Sequence, residues 1–434
     1  MFLSLLGAAN GALMRAAAST QPLGGFTFLG RHIIIEEQDS YLRLIDVGET
    51  MKNTNRTTSL LVLLLTVISL VPSCKGNSTA TSGERSEDNG NRDAGVINAV
   101  RSMATQRAAH TATLLPDGKV LVAGGFTGGG SLVSAEVFDP ATSTFASAGN
   151  MNAARAGHTA TLLPNGKVLI AGGYNGSYLA SAELYDPAAH TFMPTGTMVT
   201  SRSGHVATLL NNGKVLLAGG VGTGWTFLAD AETYDPNTNT FTATGGMTTA
   251  RESHTATLLK DGRVLITGGH KDRRANITIY TSAEIYNPAS GTFTAAGNLT
   301  VKRHKHDATL LADGRVLIVG GSDERDRDGA YRNAEIYNPA NGSFTAVKNN
   351  MNAPRYKLQG TTILLKNGKV LIAGGANRAE VFDPATNTFS FAQGDMGTEL
   401  LFSTATLLNN GQVLITGGYH LGNIVSNNAW IYRA

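Results

Sequence analysis

The chain has 434 residues, 51 of them glycine, and only 15% of it is charged. Glycine well above the usual ~7%, with no three-residue collagen period, indicates many tight turns and an all-β protein. A formal net charge of +3 makes no electrostatic case for nucleic acid, and a single cysteine excludes an intrachain disulfide.

Residues 52–74 read KNTNRTTSLLVLLLTVISLVPSC. Lys52 and Arg56 precede an apolar stretch, Leu60 to Leu70, that is too short to span a bilayer. That order is the pattern of an export signal. Its end, Leu70-Val71-Pro72-Ser73-Cys74, resembles a bacterial lipobox, with Pro72 a departure from the commonest form. The resemblance implies cleavage before Cys74 and lipidation of its sulfur. The alternative is an ordinary secretory signal with an incidental cysteine. Export signals begin at the N-terminus, so residues 1–50 are expected to be an early-start artefact or an extension without function, with Met51 the working start. Residues 51–73 then read as signal peptide. Residues 74–95, polar and without an apolar run, read as a flexible tether. These features predict a protein held in the bacterial cell envelope through lipidated Cys74. Lys75 is not the aspartate that retains such proteins in the inner membrane, so the outer membrane or cell surface is favoured.

From residue 96 to 434 the chain repeats itself. Double glycines begin at Gly124, Gly172, Gly219, Gly268, Gly320, Gly374 and Gly417, at intervals of roughly fifty residues. Each unit parses into four strands. Strand A alternates, as in His158-Thr-Ala-Thr-Leu-Leu163. An Asp-Gly or Asn-Gly pair follows in all seven copies, beginning with Asp117-Gly118 and Asn165-Gly166, and predicts a type I′ hairpin turn. Strand B is the Lys167-Val-Leu-Ile-Ala-Gly-Gly173 type. Strand C contains Ala-Glu and an aromatic and ends at Asp-Pro or Asn-Pro, where proline removes a donor. Strand D starts at Phe145, Phe192, Phe241, Phe293, Phe344 and Phe389 in the first six units.

The order Arg-x-x-His, Gly-Gly, Tyr-Asp-Pro, aromatic resembles the kelch repeat, with phenylalanine where kelch strands usually carry tryptophan. The resemblance covers residues 97–434 and implies a seven-bladed β-propeller. The seventh unit ends after strand C. Aligning Met103 with Met151 makes residues 96–103 an orphan strand D, expected to pair near Trp430–Tyr432 and close the ring.

In such a fold the D–A links and B–C loops share one face. Arg107, Arg155, Arg202, Arg251, Arg303 and Arg355 lie there in sequence, and two readings stand. They form a basic rim that grips carboxylates, or each pairs with a strand-C glutamate (Glu136, Glu183, Glu232, Glu284, Glu335, Glu380). Leu400 and Trp430 replace both partners together in unit seven, which favours pairing. His110, His158, His205, His254 and His306 follow the arginines and read as structural rather than as a metal ring. The loops of blades three to five, with Trp225, His270, Arg273, Arg274, Asp326, Asp328 and Tyr331, form the candidate binding patch. Trp225 and Tyr331 suit stacking on a sugar, and Asp326-x-Asp328-Gly329 is a fragment of a calcium loop.

No catalytic residue, cofactor or metal site is assigned. A galactose-oxidase-like copper enzyme, the best-known enzyme reading of the fold, requires a tyrosine–cysteine cross-link, and the only cysteine lies in the signal. The expected function is a lipid-anchored binding or scaffold propeller for protein or glycan, with no nucleic-acid partner. The alternative is a sugar isomerase like the kelch-type mutarotases.

Overall fold

The Val-Leu-Ile runs that precede each Gly-Gly pair are buried at every position, for example Val120–Ala123 and Val168–Ala171. In a computed structural model they are the second strands of seven four-stranded antiparallel sheets. The structure describes the backbone of residues 33–38 and 41–46, and residues 94–434. The first compact unit of the chain, Met1–Glu87, contains a hairpin in which Ile33–Gln38 pairs with Tyr41–Asp46. The expected export signal, Cys74 and most of the expected tether lie outside the described residues. Ala94 and Gly95, read from sequence as the tether's end, belong to the propeller: both are buried, and the Tyr432 hydroxyl donates to the Ala94 carbonyl at 3.1 Å.

Blade two shows the plan. Thr159–Leu162 (strand A), Val168–Ala171 (B), Ala182–Asp186 (C) and Thr191–Pro194 (D) pair in sequence order. Successive side chains of a strand point to opposite faces, so one strand B serves two inter-blade cores. Leu121 and Ala123 of blade one pack with Val168, Ile170 and Tyr185 of blade two. Val120 and Val122 pack instead with Leu414 and Ile431 of blade seven. Each such aliphatic contributes about 2 kcal/mol on full burial. In strand D, Phe192 lies directly opposite Tyr185, with ring centroids 4.7 Å apart. The same aromatic pair recurs in blades one and three to six.

Blade seven is assembled from both ends of the propeller. Thr404–Leu407, Val413–Thr416 and Ala429–Arg433 supply strands A to C, and Val96–Val100 supplies strand D, with Ile97 opposite Tyr432. The ring therefore closes as the repeat alignment requires.

The A–B turn differs from the sequence expectation. Only the glycine of each Asp-Gly or Asn-Gly pair has positive φ (+85° at Gly118), and Leu115 accepts from Gly118 at 2.9 Å while donating to Lys119 at 2.8 Å. The loop thus has three residues, a type I turn followed by a left-handed glycine, rather than type I′. The Asp117 carboxylate accepts the Lys119 N–H at 3.1 Å, which explains the acid or amide before the glycine.

The Gly-Gly pairs are fixed by the neighbouring blade. A Cβ on Gly124 (φ +60°) would lie 2.6 Å from the Arg155 carbonyl and 2.7 Å from His158 Cε1. Only glycine lets the next Arg-x-x-His segment pass.

Candidate functional site

Each Arg-x-x-His arginine is wholly buried in its own unit. Its Nη2 meets a strand-C carboxylate at 2.7–3.0 Å: Arg107–Glu136, Arg155–Glu183, Arg202–Glu232, Arg251–Glu284, Arg303–Glu335 and Arg355–Glu380. Its Nη1 donates to the carbonyl of the first glycine of the pair at 2.5–2.9 Å. The glutamate also accepts a backbone N–H of the incoming D–A link, as from Ala104 at 2.7 Å and Thr300 at 2.6 Å. Of the two readings of these six arginines, the favoured pairing with glutamate is the one observed and the basic rim is corrected: they staple one blade's exit to the next blade's third strand, and none presents a guanidinium to solvent. Blade seven replaces the staple with buried Leu400 and Trp430.

The histidines are structural links as well. His158 meets Thr111 Oγ1 at 3.0 Å, His205 meets Thr159 at 3.0 Å, His306 meets Thr255 at 3.3 Å, and His110 meets Thr404 at 3.2 Å, each pair joining adjacent innermost strands. Burial lowers the pKa of His158 and His254 to about 3, so both imidazoles are neutral.

The two residues between arginine and histidine behave differently. The second of them, Ala109, Gly157, Gly204, Ser253, Lys305, Lys357 and Phe402 in blade order, has φ between +49° and +63° in all blades. Six backbone hydrogen bonds of 2.9–3.1 Å run from one to the next, including Lys357 N–H to Lys305 O and Ala109 N–H to Phe402 O. They trace the rim of the central opening. Blades one to four place hydrogen, methyl or hydroxymethyl there; blades five to seven place two lysines and a phenylalanine. A left-handed φ costs a non-glycine residue about 1–2 kcal/mol, so these bulky choices are made against local preference.

The first of the two residues breaks symmetry in the same sector: Ala108, Ala156 and Ser203 give way to Glu252, His304 and Tyr356. Backbone bridges set Glu252 against His270 and His304 against Ser322. The side chains then form a chain of contacts. Glu252 accepts from Arg273 at 2.9 Å and lies 3.6 Å from His270 Nε2. The Nδ1 atoms of His270 and His304 are 3.1 Å apart. His304 Nε2 is 3.4 Å from Asp326 Oδ1, and Lys305 Nζ donates to both Asp326 oxygens at 2.7 and 2.9 Å. Next to this, Lys357 Nζ donates to Tyr419 Oη at 2.6 Å and lies 5.3–5.5 Å from the ring centres of Tyr356, Phe402 and Tyr419.

Burial pushes the Glu252 carboxyl up to about 7 against the pull of the Lys305 ammonium. Burial also keeps His270 and His304 below the ordinary imidazole value. Burial opposes ionisation of Asp326 too, but hydrogen bonds from His304 and Lys305 hold it well below the carboxylate range. Burial, then the Lys357 charge, lowers Lys305, which Asp326 partly offsets. The sector therefore holds neutral imidazoles, one neutralised carboxylate, one carboxyl balanced near neutrality and two adjacent ammonium groups.

An aromatic trail leads to it across the loops of blades two to four. Tyr174 and Tyr178 have centroids 5.1 Å apart, and Tyr178 meets the 44%-exposed Trp225 at 5.9 Å. Arg273 Cζ lies 4.8 Å from the Trp225 ring and 5.8 Å from Phe227, which meets His270 at 5.6 Å.

Of the residues predicted from sequence, Trp225, His270, Arg273 and Asp326 are brought together. Arg274 and Asp328 stand exposed on loop tips. Tyr331 is half-buried, its ring 5.6 Å from Arg303 Cζ, so it serves a staple rather than a ligand. Sequence reasoning missed Glu252, His304, Lys305, Tyr356, Lys357 and Tyr419. For all but Tyr419, which follows Gly417-Gly418, the signal was the two variable columns between arginine and histidine.

Seven four-stranded sheets closed by a strand from the other terminus define a β-propeller. The Kelch motif family matches residues 107–152 and 154–199, and the chain is a kelch-repeat β-propeller. No curated protein matches the chain. Among solved structures it is similar to a fungal alcohol oxidase of the AA5 family in complex with copper, at 17% identity and a TM-score of 0.62, over 78% of this chain and 76% of that one. At that identity the likeness is one of fold. The donor set here does not fit that oxidase's metal: among the described residues no three His, Cys, Asp or Glu side chains converge, and none is a cysteine that a tyrosine could cross-link.

Proposed function

We propose that the protein is a binding propeller that takes a saccharide at the irregular sector of its loop face. The observation that carries this is the confinement of every break in the rim's pseudo-symmetry to blades four to seven, at the end of the Tyr174–Tyr178–Trp225 trail. Uniform copies build architecture; a departure that sets lysines at left-handed φ asks for another reason. The exposed Trp225 ring beside the Arg273 guanidinium and neutral hydrogen-bonding side chains suit the face and hydroxyls of a pyranose. The sequence supports delivery outside the cytoplasm, with residues 51–73 as export signal and lipidated Cys74 as membrane anchor. Dual or triple acylation at one site supplies enough buried methylene for stable anchoring.

A second reading, acid–base isomerisation of the bound sugar, is favoured by Glu252, whose pKa of about 7 suits proton transfer at neutral pH. The experiment is a glycan array probed with the wild-type protein and Trp225→Ala. Saturable binding lost in the variant is the expected result; a wild-type array with no bound glycan overturns the saccharide reading. Anomer exchange of the bound sugar by NMR, abolished in Glu252→Gln, separates the second reading from the first.

A further inference from the structure

We infer that the saccharide carries a carboxylate, and that Lys357 with Lys305 receives it. This rests on the saccharide reading above. Five features of the rim point the same way.

Lys305 and Lys357 are consecutive members of the hydrogen-bonded rim, joined by the Lys357 N–H to Lys305 carbonyl bond of 2.9 Å. Both hold left-handed backbone, at φ +54° and +53°, where Gly157 and Gly204 stand in blades two and three. The charges on the lysines' own half are already arranged for an anion: Asp326 is neutralised by two hydrogen bonds from Lys305, and burial holds the Glu252 carboxyl near its neutral form. After burial, the Lys357 charge is what most depresses Lys305, so an arriving carboxylate relieves a repulsion that exists before it binds. Lys357 is also held in one place, by the Tyr419 hydroxyl and three rings, so little conformational freedom is left for the ligand to freeze. A charge-assisted contact to such a group is stronger than a neutral one.

The test is isothermal titration of the full-length protein with the trimers of galacturonate, glucuronate and mannuronate, each beside its methyl ester, with sodium acetate as a third titrant. The esters keep the sugar skeleton and remove the charge. At least one acid is expected to bind about tenfold or more tightly than its ester. Lys357→Met should bring acid and ester together, and Lys357→Arg should restore part of the difference. If Lys357→Met fails to fold, salt supplies the same information: the acid-to-ester ratio of the wild type should shrink as ionic strength rises. Equal binding of acid and ester, or a ratio unmoved by both Lys357→Met and salt, overturns the inference while leaving the saccharide reading in place. Acetate binding as tightly as the trimer overturns the assignment to a sugar acid. Absence of binding by every trimer and ester, together with an empty glycan array, overturns both.

Discussion

Asp307 of blade five accepts the backbone N–H of Thr361 in blade six at 2.9 Å, and that of Thr362 at 2.8 Å. At this position most other blades carry a threonine that meets the next blade's histidine. Here the histidine is Leu358, and Gln359-Gly360 is inserted before strand A. One carboxylate thus replaces a side-chain link by holding the backbone that the insertion displaces.

Asp307 makes stability depend on pH. Burial raises its pKa to about 6, against the backbone hydrogen bonds that favour the ionised form. The native state therefore holds this proton more tightly than the unfolded chain, where aspartate titrates near ~3.9. The resulting stability is fully present below about pH 4 and is lost as pH rises through 6, by about 2–3 kcal/mol. Chemical denaturation at pH 4, 5, 6 and 7 should show this slope in the wild type relative to Asp307→Asn. Parallel curves for the two proteins would refute the assignment.

The staples allow a sharper mutational test than single losses. Arg303 and Glu335 are both fully buried and 2.7 Å apart. Glu335→Gln leaves an uncompensated buried guanidinium and should cost about 3–5 kcal/mol. Arg303→Met combined with Glu335→Leu should cost distinctly less, because no charge remains to be desolvated. Thermal unfolding of the three proteins reads this directly; a double variant worse than either single one contradicts the view of these pairs as geometric fixtures.

Ring closure predicts a consequence for assembly. Removing residues 96–103 exposes the strand C edge at Ala429–Arg433, now covered by Val96–Val100. The shortened protein should elute from a sizing column as oligomers or aggregate. A monomer with unchanged melting temperature would show that the N-terminal strand is dispensable.

Much of this architecture was legible in the sequence because repetition multiplies weak signals. One Gly-Gly or Asp-Gly pair is poor evidence; seven in register set blade number, strand order and closure. The turn type was misread because Asp-Gly is shared by two-residue and three-residue hairpins, and the difference lies in whether Leu115 faces Lys119 across the turn. The arginines suggested an exposed rim because arginine is rarely buried without a partner; the partner stands some thirty residues away, and only the joint loss at Leu400 and Trp430 disclosed it. The mouth was harder to read. Glu252, His304, Lys305 and Lys357 lie on three segments of three blades, and nothing short of the closed ring brings them to one side of the opening.

Glu252 should tune the affinity for an acidic sugar. Below about pH 7 its carboxyl is neutral; above that it adds a negative charge beside Arg273, His270 and Lys305. Affinity for the acid trimer should therefore fall as pH rises from 6 to 8, and Glu252→Gln should flatten the profile. Titration calorimetry across that range provides the check, and a wild-type profile as flat as the variant's would exclude Glu252 from the site.

The most direct measurement is a crystal structure of the protein grown with the preferred acid trimer. Ligand density is expected over the loops of blades three to six, with a pyranose face on Trp225 and a carboxylate within hydrogen-bond distance of Lys357 Nζ. Density confined to the opposite face, or to the glycine-lined half of the rim with Lys357 untouched, would contradict it.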